Sequence, residues 1–86
     1  MQKLVIIGGS NAFWEISELI DDINKVQNKY EIIGVLDDNP QLIGKQYNNL
    51  KVEGPVEMAK NYPDDVKFIF TFKEFILVFS LIIIFL

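Results

Sequence analysis

The 86-residue chain contains no cysteine and no histidine, and all eight of its basic residues are lysines. Lacking cysteine, it forms no disulfide and offers no thiolate. Lacking histidine as well, it is without the usual zinc ligand sets and the commonest general base. Without arginine there is no planar two-point clamp for a phosphate or carboxylate, so an anion must be held by backbone N–H groups or by lysine. Twelve acidic residues against eight basic ones give a formal charge of −4. That balance speaks against a nucleic-acid partner, because phosphate backbones are held by a surplus of positive charge. No basic region followed by a long apolar stretch opens the chain. No signal peptide is therefore expected, and the expected compartment is the cytoplasm.

What is present is globular in kind. Half the residues are hydrophobic and 23% are charged, enough for one domain with a modest core. Residues 3–7 (KLVII) read as a strand whose apolar run, unbroken from Leu4 to Ile7, ends at Gly8 and suits a strand covered on both faces. From residue 12 to about 27, Phe13, Ile16, Leu19, Ile20, Ile23 and Val26 recur at helical spacing. Glu15, Glu18, Asp22 and Lys25 face away, and Ser10 or Asn11 can cap the start. Residues 30–36 (YEIIGVL) read as a second strand, and Asn39-Pro40 forces a turn. An irregular stretch over 43–54 follows, with a short extended piece at 50–52. A short helix over 55–61 begins on Pro55, and a third strand covers 66–72. The order βαβαβ predicts an α/β fold, a small Rossmann-like parallel sheet with helices on its faces.

Residues 75–86 (FILVFSLIIIFL) depart from this composition. Twelve helical residues span about 18 Å, short of the roughly 30 Å of a hydrocarbon core, so membrane contact through this tail is not the favoured reading. A buried strand or apolar helix is a second reading. A third is a non-native, truncation-derived ending from out-of-frame translation of AT-rich DNA. The expected division is a domain over 1–72 and an apolar tail over 73–86.

Two places can carry chemistry. Where the first strand turns through Gly8, Gly9, Ser10 and Asn11 into the helix, a helix leaves N–H groups without partners and a positive dipole end, which together suit an anion. Of a dinucleotide fingerprint G-x-G-x-x-G only Gly8 is in place, since the later positions fall on Ser10 and Phe13. The plainer alternative is that the two glycines merely permit a tight turn. Asp37 and Asp38 end the second strand, where doubly wound sheets put acids that accept hydrogen bonds from ribose hydroxyls. Their plainer alternative is an ordinary turn with Asp bonding its own backbone. Phe13 and Trp14 read as packing residues, and Glu15, Glu18, Asp21 and Asp22 as a solvated helix face.

With the glycine turn, IIGVLDDNPQLIGK (32–45) and KVEGP (51–55) in place, the chain resembles the N-terminal domain of PglD-like bacterial sugar O- and N-acyltransferases, the sialic acid O-acetyltransferase type. The likeness runs from about residue 2 to residue 72. It implies a nucleotide-sugar-binding module whose partner is a UDP-linked sugar, with Gly8, Gly9, Ser10, Asn11, Asp37 and Asp38 as substrate-binding residues. In such proteins a hexapeptide-repeat β-helix follows, binds acetyl-CoA and carries a catalytic histidine. No repeat and no histidine stand in this sequence. The resemblance therefore implies no cofactor, no metal and no catalytic residue in this chain, and no acyl transfer by it alone. This sequence also departs from the family pattern, which has more glycine at Ser10 and Asn11 and a basic residue near Trp14. A dinucleotide-binding fragment, and a non-binding remnant or interaction protein, are the other readings.

Overall fold

Two apolar runs and one amphipathic helix set the architecture. A computed structural model describes residues 1–9, 11–71 and 83–84. In chain order the elements are β1 (Gln2–Ile7), α1 (Asn11–Val26), β2 (Tyr30–Leu36), β3 (Gln46–Tyr47), β4 (Leu50–Gly54), a 3₁₀ helix (Val56–Asn61), β5 (Lys67–Phe70) and β6 (Ile83–Ile84). The strands form one mixed sheet in the order β3-β4-β2-β1-β5-β6. β1 pairs in parallel with both β2 and β5, and β2 with β4. The outer pairs β3/β4 and β5/β6 are antiparallel. The tail apart from Ile83 and Ile84, the expected cap at Ser10, and Phe72 lie outside the described residues. Among the described residues no helix is long and apolar enough to cross a membrane.

The fold is thus α/β with a mostly parallel sheet, and two local expectations are corrected. The stretch 43–54 is more regular than expected: the extended piece at 50–52 is part of β4, which pairs with β2 and buries Val52, and β3 turns into it through Asn48-Asn49. Asn48 has φ +54° there, a left-handed conformation that asparagine tolerates. The expected helix over 55–61 is a six-residue 3₁₀ helix that Pro55 precedes in extended conformation (ψ 163°). A segment that short closes too few α-type bonds to offset nucleation. Among the described residues the sheet therefore has one α-helix, over one face, and a single 3₁₀ segment over the other.

Side-chain alternation sorts the core into those two layers. Leu4 and Ile6 of β1 join Phe13, Ile16 and Ile20 beneath α1. Val5 and Ile7 join Ala59, Val66 and Phe68 on the 3₁₀ side. Phe68 and Phe70 share that second layer, as their spacing predicts, while Ile69 joins the first. β2 would break this order but for an extra residue. Leu4 pairs with Ile32 while Val5 pairs with Gly34, so Ile33 bulges out of the ladder. The bulge reverses the phase, returning Val35 to the α1 layer and Leu36 to the other.

At the end of β1 the chain needs glycine. Gly8 has φ +118°, and a Cβ there would collide with the Thr71 hydroxyl. Thr71 in turn donates to the carbonyls of Ile7 (3.1 Å) and Gly8 (3.3 Å), tying the end of β5 to the turn. Gly8→Ala should lower the unfolding free energy by about 2 kcal/mol or more. In a Thr71→Ala background urea denaturation should recover only part of that loss, because the backbone conformation stays strained.

Candidate functional site

The turn between β1 and α1 stands at the carboxyl end of the parallel strands, beside the end of β2. The Gly8 N–H donates to the Leu36 carbonyl at 2.8 Å. The Gly9 N–H donates to the Asp37 carboxylate at 2.7 Å, a charge-assisted bond from a buried glycine to a half-buried acid. The other Asp37 oxygen accepts the Asn39 N–H at 2.8 Å, which makes the Asp-Asp-Asn-Pro turn. Asp37 also donates its own N–H to Gly54 of β4. One carboxylate therefore joins the glycine turn, the end of β2 and the loop after it.

Asp38 goes elsewhere. Its carboxylate accepts the Val56 N–H at 2.8 Å, at the start of the 3₁₀ helix. The alternation that puts Val35 under α1 and Leu36 opposite puts Asp37 on the α1 side and Asp38 on the other. Of the six residues singled out from the sequence, Gly8, Gly9 and Asp37 are brought into direct contact. Asn11 opens α1, Asp38 braces the far side, and Ser10 lies outside the described residues. The acid cluster Glu15, Glu18, Asp21 and Asp22 is exposed, as a solvated helix face should be.

An aromatic cluster adjoins the turn on its α1 side. Phe13 is buried, 1% exposed, and packs on Tyr47 with ring centroids 4.6 Å apart. Trp14 lies 5.3 Å from Tyr47 and is 42% exposed. The packing reading thus holds for Phe13, while Trp14 presents much of its ring to solvent. The Lys45 ammonium sits 5.3 Å from the Tyr47 ring centroid, in cation–π range. Tyr47 is 1% exposed, and its hydroxyl is a buried polar atom with no hydrogen-bond partner among the described residues. That hydroxyl is 3.6 Å from where a Cβ on Gly9 would stand, so the absence of a side chain at Gly9 lets the ring reach the turn. The sequence pattern does not single out Tyr47 or Lys45 as site residues. The available signal was a single aromatic in the polar stretch 45–49 (KQYNN).

The electrostatics differ from the expectation in one respect. Both glycine N–H groups already have acceptors, so the turn does not offer them to an anion while Asp37 stays in place. The N–H groups that open α1 are the ones a helix leaves without partners. From Phe13 and Tyr47 a polar cleft of about 250 Å³ runs past Ser17 and Asp21 to Asn48 and Asn49. A larger apolar cavity of about 340 Å³ lies between α1 and the amino ends of β1 and β5, near Gln2 and Lys67, away from the acid-tipped end. Among the described residues no group of side chains is arranged to hold a metal ion. No family model, curated protein or solved structure matches the chain.

Replacing Asp37 by Ala leaves the Gly9 N–H buried without an acceptor. It should cost about 1–3 kcal/mol in urea unfolding, more than Asp38→Ala, whose bond is exposed. Asp37→Asn keeps an acceptor oxygen and should lose less than Asp37→Ala. Tyr47→Phe removes an unpartnered hydroxyl and should leave stability unchanged or raise it, measured the same way.

Proposed function

We propose that the chain is a Rossmann-like nucleotide-sugar-binding module, of the kind that opens PglD-like sugar acyltransferases, and that its ligand is a UDP-linked sugar. The observation that carries this reading is the hydrogen bond from Gly9 to Asp37, which joins the glycine turn and the acid-tipped strand end in one surface. The parallel order β4-β2-β1-β5 supports it too. In that order the first strand is central and the chain changes direction beside it, and doubly wound sheets bind nucleotides at the carboxyl ends of the strands next to such a point.

Each Asp37 oxygen accepts one backbone hydrogen bond and retains a second lone pair, so the carboxylate remains able to accept from ribose hydroxyls. The diphosphate then belongs against the opening N–H groups of α1 rather than on Gly8 and Gly9. The sugar has the polar cleft beside Tyr47, where Asp21, Ser17 and the two asparagines offer partners for hydroxyl groups. The role assigned is binding alone. With no histidine in the sequence, the general base of the resembled acyltransferases has no counterpart here.

Calorimetric titration of the full chain with a UDP-sugar, UDP and NAD tests the reading. Saturable UDP-sugar binding that weakens severalfold in Asp37→Asn is the expected result, since a neutral amide makes a weaker acceptor for ribose. Preference for NAD would favour a dinucleotide-binding fragment. A folded chain that binds none of the three would contradict both.

A further inference from the structure

If the two glycine amides are engaged and arginine is absent, a diphosphate on this surface needs its positive charge from lysine. Among the described residues one lysine stands against the aromatic cluster that adjoins the turn, Lys45, exposed on the chain entering β3. Lys45 is kept there by its backbone: its N–H donates to the Leu42 carbonyl and its carbonyl accepts the Val52 N–H, at 2.9 and 3.0 Å. Beneath it the buried Tyr47 hydroxyl has no partner among the described residues and lies 3.6 Å from where a Cβ on Gly9 would stand. A buried donor without an acceptor costs about 1–3 kcal/mol, a loss that persists where the donor serves something outside the fold.

We infer that Lys45 and Tyr47 form the diphosphate contact of this site, Lys45 supplying the charge and the Tyr47 hydroxyl a hydrogen bond to a phosphate oxygen. This rests on the nucleotide-sugar reading and adds to it the residues that recognise the anion. The two residues come from one short strand entry and are two positions apart. Lys45 supplies a point charge, which suits a diphosphate, whose negative charge is spread over several oxygens. Trp14, the sole tryptophan, stands 5.3 Å from the Tyr47 ring and is partly exposed, so its fluorescence reports on the same place.

The test is titration of the full chain with UDP, uridine and inorganic pyrophosphate, following heat and Trp14 emission together. Lys45→Gln should weaken UDP and pyrophosphate about tenfold and flatten the salt dependence of their binding. Uridine should be unaffected, and Lys51→Gln, on an exposed lysine of β4, should behave as the unaltered chain. Tyr47→Phe should weaken UDP severalfold while its stability is maintained or raised, a combination that a purely structural tyrosine would not give. UDP binding that changes in neither variant, or that leaves Trp14 emission unmoved, would overturn the assignment while the nucleotide-sugar reading stands. Absence of any UDP binding would instead remove that reading, and this assignment with it.

Discussion

The site depends on one hydrogen bond, from the Gly9 amide to the Asp37 carboxylate. It is short, at 2.7 Å, partly buried, and spans 28 residues of sequence. In a lower-dielectric setting than water such a charge-assisted bond is strong, and losing the acceptor strands a buried N–H. It fixes how the first turn meets the end of the second strand, and everything proposed about binding is built on that juncture. The same bond sets a limit. An anion cannot take the Gly9 amide without displacing a carboxylate, so the charge that attracts a phosphate has to come from beside the turn.

Why Asp37 and not Asp38 makes this bond is decided lower down the strand. The two acids are neighbours just past the end of β2 and bond on opposite faces of the sheet. A one-residue bulge at Ile33 sets which acid faces which side. With the bulge, Asp37 meets the glycine turn and Asp38 braces the 3₁₀ helix through Val56. An unbulged β2 would exchange those directions. A local irregularity in the core thus determines the chemistry presented at its rim.

The elements legible in the sequence were those with strong periodicity. β1, α1 and β2 carry long apolar patterns bounded by glycine, asparagine or aspartate, and the structure has them within a residue or so of the expected limits. Only the extended piece at 50–52 was legible of the β3–β4 hairpin, because Gln46, Asn48, Asn49, Lys51 and Glu53 face solvent and leave Tyr47, Val52 and Gly54 as its buried residues. Its existence follows from pairing with β2, a tertiary fact. The 3₁₀ helix reads in the sequence as a regular helix for a related reason: Pro55 marks a start, but length decides the type. At the site, the meeting of turn and acid was anticipated. The bulge that assigns each acid to a face was not, nor were Tyr47 and Lys45, whose placement depends on the hairpin.

Nuclear magnetic resonance of the full chain across a pH titration tests the juncture most directly. An amide that donates to a carboxylate moves in resonance when that carboxylate gains a proton. The account predicts that the Gly9 amide proton is protected from exchange with solvent and titrates in step with the Asp37 side-chain carboxyl carbon. A Gly9 amide that exchanges like that of an unstructured glycine, with a resonance indifferent to the charge on Asp37, would contradict it.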